Sequence, residues 1–293
     1  MDSAQKNLIS KIEREMPAMS KGQKAIASYI LKNYENAAFL TAARIGEDAG
    51  VSESTVVRFA MELGFEGYPH FQKVLQEELK VRLTSVQRMK ASIKLNDNDD
   101  ILGAVLHSDI EKLKRTSESI DRNAFNQAVE LILGAKKIYI LGVRSAAPLA
   151  AFLGFYFNLI FDNIRLVHTT SVSELFEQIL GVKTGDVVIG ISFPRYSKRT
   201  IKAMAYSRST GATVIAITDK ADTPISENAD VCLLAPSDMT SFVDSLVAPL
   251  SVINALIAAI GYKRQDAVIE TLEKLERIWD EYQVYDKGDL PNA

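Results

Sequence analysis

The sequence predicts a small all-α domain followed by an α/β domain, in which helices cover both faces of a parallel sheet to give three layers. Three observations predict it. Residues 1–90 repeat apolar positions at helical spacing. From Lys137 onward, five short β-branched runs alternate with helical stretches, the pattern of a buried parallel sheet. Between these regions, Asn96-Asp97-Asn98-Asp99-Asp100 strings together five turn-forming polar residues, as a linker does. The expected divisions are 1–90, a helical linker over 91–120, and 121–293.

In the first domain, Ile9, Ile12 and Met16 mark one helix, and Lys24 to Ile30 lie in a second for which Ser20 is the N-cap. Leu40, Ala43, Ile45 and Ala49 supply the apolar face of a third, which Gly50 ends by turning left-handed. Val51 plugs the turn. Ser52 then caps a fourth helix, its hydroxyl placed to accept from the amides of Ser54 or Thr55. Val56, Phe59, Ala60 and Leu63 share the buried side of that helix, which leaves Ser52, Glu53, Ser54, Thr55 and Arg58 outward on its first turns. A sharp turn followed by a helix with short polar residues at its N-terminus is the pattern of a helix-turn-helix that reads a major groove. Arg58 either takes a guanine edge or holds a phosphate; an ordinary helical hairpin with a solvated face is the competing reading. After Gly64, the positions Phe71, Val74, Leu75, Leu79 and Leu83 form a closing helix with Lys73, Lys80, Arg82 and Arg88 on its polar side.

Helices follow over Ile101–Ile120 and from Asp121, an N-cap, to Leu133. The expected strands are Ile138–Leu141, Asn163–Val167, Asp186–Ile191, Thr213–Ile217 and Val231–Leu234. Ligands of such sheets bind outside the carboxyl ends of the strands, where helix N-termini offer amides to anions. Three strand ends carry suitable groups: Arg144 and Ser145 after the first, Thr169, Thr170 and Ser171 after the second, Ser192, Arg195 and Ser197 after the third. Ser197 caps the next helix, and with Ser192 and Arg195 it surrounds an anion with donors and positive charge. A phosphorylated small molecule is the expected ligand, against the plainer reading that these hydroxyls only cap helices.

Composition narrows the classes. The chain has 293 residues, 47% of them hydrophobic, enough for two cores and too apolar for a disordered regulator. Residues 1–90 hold 13 Lys+Arg against 11 Asp+Glu and the remainder 21 against 26, so the front is only mildly basic. That excludes a nucleic-acid coating protein and makes dimerisation important for DNA affinity. Cys232, the single cysteine, sits in an apolar run and reads as a structural thiol. No signal peptide is visible, and the uncharged runs 145–161 and 245–262 read as core helices rather than membrane spans. The cytoplasm is the expected compartment, with no metal and no cofactor.

Gln23 to Ile30, Ala49 to Phe59 and Leu63 to Tyr68, together with Ile138 to Ser145, Asp186 to Ser197 and Thr223-Pro224-Ile225 leading to Val231, resemble the RpiR family of bacterial transcriptional regulators. In that family a helix-turn-helix domain precedes a SIS (sugar isomerase) domain that senses sugar phosphates. The resemblance spans almost the whole chain. It implies a regulator of carbohydrate metabolism genes, a homodimer or homotetramer on operator DNA, and a phosphorylated sugar or related anion as effector. Two departures stand out. The family's Gly-x-Gly-x-Ser after the first strand has Arg144 at its second glycine and Ala146 at its serine. Its Ser-x-Ser-Gly-x-Ser/Thr after the third keeps Ser192 and Ser197 but has Pro194 and Arg195 in the middle. Two phosphate-facing groups are exchanged for two arginines, which keeps the ligand anionic and alters its shape or adds a carboxylate to it.

SIS domains also occur in phosphosugar isomerases, the alternative function. Such an enzyme needs a positioned base, and His168, Glu174, Glu177, Asp238 and Asp244 are the candidates, each equally well explained as a cap or solvated surface. No catalytic residue is expected. On the final helix, Val268, Leu272, Leu275, Trp279 and Tyr282 form an apolar stripe that serves either a dimer or the domain's own sheet.

Overall fold

The computed structural model describes residues 8–82, 86–89, 100–168, 171–237 and 243–285. Leu83, Asn96 to Asp99, Thr169, Thr170 and Asp238 lie outside these residues, as do the side chains of Lys80 and Arg82. The chain divides into two compact units, Met1–Leu95 and Asn96–Ala293.

The first unit is entirely helical among its described residues: α1 (Leu8–Glu15), a 3-10 turn (Met16–Ala18), α2 (Lys21–Lys32), α3 (Tyr34–Ala37), α4 (Ala42–Ala49), α5 (Glu53–Glu62) and α6 (Tyr68–Arg82). Ser20 caps α2 in a reciprocal box, its hydroxyl accepting from the Gln23 amide while the Gln23 side chain accepts from the Ser20 amide. The one-turn α3 has no apolar period to announce it. The motif helices therefore come fourth and fifth. Their entry also differs from expectation, because Thr41 caps α4 and its buried positions are Ala42, Ile45 and Gly46, whereas Ala43 is exposed. Leu40 precedes the helix, and its carbonyl accepts from the Tyr68 hydroxyl at 2.5 Å and from Gln72 Nε2 at 2.8 Å. This anchors the start of α4 on α6. Burial pushes the Tyr68 phenol up to about 12, so it stays a donor at physiological pH. Ile12, Ile26, Ile30, Ile45, Val56, Phe59, Leu63, Phe71 and Leu75 form the core of this unit. Arg88, expected on a polar face, is buried.

The second unit opens with α7 (Ile101–Ser119) and α8 (Arg122–Leu133), capped by Asp100 and Asp121 through their side chains. Then β1 (Ile138–Gly142), α9 (Ala147–Ile160), β2 (Ile164–Val167), α10 (Val172–Ile179), β3 (Val187–Ile191), α11 (Lys198–Ser209), β4 (Thr213–Thr218), β5 (Val231–Leu234), α12 (Val247–Lys263) and α13 (Gln265–Glu281) follow. Every strand pairing is parallel, in the order β2-β1-β3-β4-β5. Each strand appears within a residue of its expected bounds. One face of the sheet packs α8, α9 and α12 through Ile140, Leu153, Phe157, Ile189, Ile217, Ile253 and Leu256. The other packs α10 and α11 through Leu141, Leu175, Val188, Met204 and Val214. The uncharged runs are core helices α9 and α12. Among the described residues no helix is long and apolar enough to cross a membrane.

Gly46 carries the tightest constraint in the first unit. A Cβ there would lie 2.8 Å from the Val51 carbonyl oxygen and 3.3 Å from the Glu53 amide nitrogen, both backbone atoms that cannot swing aside. Gly46→Ala should therefore destabilise this unit by about 1–3 kcal/mol despite the better helix propensity of alanine, as overpacked sites do. Urea unfolding followed by circular dichroism measures it, and an unchanged or higher midpoint refutes it.

Candidate functional site

The chain presents two surfaces with chemical potential, one in each unit. In the first, α4 ends at Gly50, whose φ of 69° is left-handed. The Val51 amide donates back to the Gly46 carbonyl at 2.8 Å, which turns the chain sharply before α5. Ser52 stands at the N-cap with extended backbone, and its carbonyl accepts from Thr55 at 3.0 Å. Its hydroxyl does not cap. It bonds the hydroxyls of Ser54 at 2.9 Å and Thr55 at 2.8 Å, which corrects the expected bond to the amides. The side-chain triad leaves the Glu53 and Ser54 amides at the start of α5 without a side-chain cap.

Ser52, Glu53, Ser54 and Arg58 are exposed and Thr55 half-exposed, while Val56, Phe59 and Ala60 are buried. Arg58 makes no ion pair among the described residues. The Lys11 ammonium donates to the Leu63 carbonyl at 2.7 Å, closing the far end of α5. Tyr29 donates to Asp48 at 2.6 Å, and Arg44 pairs with Asp48 at 3.3 Å, so the carboxylate at the end of α4 is neutralised beside the turn. Gln23 of α2 likewise bonds Glu62 of α5. These ties fix the angle at which α5 projects.

The second surface lies at the carboxyl ends of the strands. β1 and β3 are neighbours, with Leu141 beside Gly190 and Gly142 beside Ile191. The helix after β1 packs on one face of the sheet and the helix after β3 on the other. The loops leaving these two strands consequently part, and the crevice between them is the ligand position of an open parallel sheet. Arg144–Ala146 forms a 3-10 turn on one side. Arg144 is exposed at a φ of 57°, one of two non-glycine residues in the left-handed region among the described residues. The arginine thus holds a backbone conformation that glycine adopts freely, at a cost of about 1–2 kcal/mol. Ser145 beside it is exposed.

Across the crevice, Ser192 is buried and its hydroxyl accepts from the Ser197 amide at 3.1 Å. The Ser197 hydroxyl in turn accepts from the Thr200 amide at 3.4 Å, the expected cap of α11. These two serines close the loop on itself, with Arg195 exposed at its tip. Ser171 occupies the N-cap position of α10, but its hydroxyl pairs with that of Ser173 at 2.9 Å. His168 is exposed, and its main chain is clasped by the Gln178 amide through two bonds of 3.2 Å.

Sequence reasoning missed several neighbours. The Tyr196 hydroxyl donates to Asp219 Oδ1 at 2.8 Å, tying the β3 loop to the end of β4. Burial pushes the Asp219 carboxyl up, and burial beside that carboxyl pushes the Tyr196 phenol up, so the pair holds its proton on the tyrosine. Thr200 and Ser237 are buried with hydroxyl oxygens that have no hydrogen-bond partner among the described residues. Nothing in their spacing announced either. Among the described residues no cluster of His, Cys, Asp or Glu is placed to hold a metal.

Comparison with known proteins matches both units. Residues 6–82 fit the helix-turn-helix domain of the rpiR family and residues 131–259 fit the SIS domain. The HTH-type transcriptional regulator HexR of Escherichia coli is 27% identical over 278 residues, covering 92% of this chain and 93% of the relative. HexR of Pseudomonas aeruginosa is 24% identical over 266 residues, covering 88% and 90%. The sugar isomerase domain of an RpiR transcription factor from Sphaerobacter thermophilus superposes with a TM-score of 0.59 at 27% identity, over 61% of this chain and 99% of that one. NanR of Vibrio vulnificus, solved in complex with ManNAc-6P, shares the fold with a TM-score of 0.57 at 22% identity, over 93% and 99%.

Arg144→Gly should raise stability by about 0.5–1 kcal/mol, since relief of the left-handed strain exceeds the added freedom of glycine in the unfolded chain. A rise in the denaturation midpoint checks it, and a fall shows that the arginine side chain stabilises the fold itself.

Proposed function

The chain belongs to the rpiR helix-turn-helix family and carries a SIS domain behind the helix-turn-helix, and we propose on that premise that it is a cytoplasmic, non-catalytic transcriptional regulator of carbohydrate metabolism genes. In this reading α5 enters the major groove of operator DNA. Ser54, Thr55 and Glu53 face base edges, Arg58 takes a guanine or a phosphate, and Ser52 lies beside the backbone. The effector is a phosphorylated sugar or related anion in the crevice between the ends of β1 and β3. Arg144, Ser145, Ser171, Ser192, Arg195 and Ser197 are its proposed contacts, together with Thr169 and Thr170.

The observation that carries the reading is the left-handed backbone held at the exposed Arg144 after β1, with the exposed Arg195 on the loop after the neighbouring β3. Strain of that kind persists where function uses it. NanR, which shares the fold, is seen with a phosphorylated sugar, and the named relatives are transcriptional regulators. Sensing is favoured over isomerisation by the chemistry of the strand ends. His168 is exposed with only its main chain engaged, Glu174 and Glu177 are exposed on α10, and the Asp219 carboxyl already accepts from Tyr196.

A homodimer supplies the second half-site that the mild charge of the front domain requires. Its proposed face includes α13, on which Ile269, Leu272, Ile278 and Tyr282 are exposed and no residue is buried. Packing on the domain's own sheet uses only part of that apolar stripe, through Val268.

Fluorescence anisotropy with DNA from the region upstream of the chain's own coding sequence tests the reading, with glucose 6-phosphate, fructose 6-phosphate, 6-phosphogluconate and the unphosphorylated sugars as ligands. The expected result is specific binding that at least one phosphorylated ligand changes by about 5–150-fold, the usual range of coupling, with no isomerase turnover of that ligand. Arg58→Ala should weaken binding by about 1–3 kcal/mol if it reads a base. Equal response to phosphorylated and neutral sugars overturns the anionic site.

A further inference from the structure

Between Phe193 and Tyr196 the loop after β3 passes from one face of the sheet to the other. Phe193 is buried in the cluster under α9 and α12, whereas the Tyr196 ring packs on the cluster under α10 and α11. Pro194 between them is half-buried and Arg195 exposed, so the arginine stands where the chain crosses the carboxyl end of its strand. Both sides of the crossing are fastened. On the side of the strand, the Ser192 amide donates to the Ile217 carbonyl at 3.2 Å, and the Ser192 hydroxyl accepts from the Ser197 amide at 3.1 Å. On the other, the Tyr196 hydroxyl donates at 2.8 Å to Asp219 Oδ1, which also accepts from the Thr218 hydroxyl at 3.4 Å.

The tie to Asp219 is the unfavourable one for a carboxylate. Asp219 gives up part of its water to sit half-buried at the end of β4, and that burial pushes its carboxyl up. An apolar pair of similar volume would hold the loop at least as stably, so the polar choice specifies a position more than it adds stability. A hydrogen bond fixes direction as well as distance, which a ring resting on an apolar wall does not.

Position matters because of the residue next to Tyr196. Where the resemblance places serine and glycine, this loop has a proline that fixes its own φ and then a long cationic side chain. An arginine on an unfastened loop loses affinity to the ordering of both loop and side chain, and holding the loop beforehand removes part of that loss. We propose that Tyr196, through its bond to Asp219, is a positioning residue for the anion site, holding the β3 loop so that Arg195 is presented to the negatively charged group of the ligand. The inference rests on the anionic-ligand reading above. Tyr196 and Asp219 act through Arg195 and need not touch the ligand.

Calorimetric titration of the full chain with glucose 6-phosphate, fructose 6-phosphate, 6-phosphogluconate and inorganic phosphate tests this. The proteins are wild type, Tyr196→Phe, Asp219→Asn, Arg195→Ala and the double variant of Arg195→Ala with Tyr196→Phe. Tyr196→Phe keeps the ring and removes the hydroxyl, and it should weaken the tightest of these ligands by about tenfold, the scale of one hydrogen bond to a charged group. Asp219→Asn keeps an oxygen that accepts from the phenol and should stay within about threefold of wild type. In the Arg195→Ala background, Tyr196→Phe should weaken binding by less than about twofold, because the residue through which it acts is gone. A merely structural role predicts the opposite, since a disordered loop would also displace Ser192 and Ser197 and the two effects would multiply. Effects that multiply, or either single variant binding as wild type, overturn the positioning role and leave the anionic site standing. A wild-type chain that binds none of these ligands overturns both. Circular dichroism in urea checks that each variant is folded, and if Tyr196→Phe is not, Asp219→Ala in the two backgrounds decides the same question.

Discussion

An all-parallel sheet allows no tight reversals, so every strand must be followed by a crossover that carries the chain back along one face or the other. The described structure depends on where that choice changes. After β1 the chain crosses on the side of α9, and after β3 on the side of α11. Because β1 and β3 are adjacent, their exits must diverge. The crevice is a consequence of winding, and the proposed hydroxyl and arginine contacts would only give it a charge preference.

The same economy holds in the helical unit. The turn between α4 and α5 is fixed by backbone contacts, with the Val51 amide on the Gly46 carbonyl and a left-handed Gly50. Side chains are thereby released from structural duty. Ser52 shows it plainly, since its hydroxyl bonds two neighbouring hydroxyls and caps no amide of α5. Polar groups on the outward side of α5 are set by the helix and its anchors at Lys11 and Gln23, and their chemistry is free to serve recognition.

Much of this was legible in the sequence because it is local. β-branched runs place the five strands, and Ser20, Asp121 and Ser197 cap the helices that follow them. Buried Val56, Phe59 and Ala60 follow from helical spacing alone. What escaped is non-local or lacks a period. Tyr196 and Asp219 meet across 23 residues, and Asp109 and Ser245 across 136. The four-residue α3 is too short to show a repeat. Nothing in the sequence marks Lys112 as buried, since a lysine on a long helix ordinarily faces solvent and its burial depends on partners supplied by tertiary structure. Of the expected ligand contacts, Arg144 and Ser145 follow β1 and Ser192, Arg195 and Ser197 follow the adjacent β3, while Thr169 and Thr170 lie outside the described residues.

The left-handed backbone at Arg144 has an evolutionary side. Its turn keeps the path a glycine would take, so exchange between glycine and arginine at this position alters the charge of the crevice without asking the chain for a new fold. A ligand site at this turn, as proposed, could drift among ligands of different ionic character by single substitutions while the scaffold stays the same. One scaffold can thereby be reassigned from one metabolite to another at little structural risk.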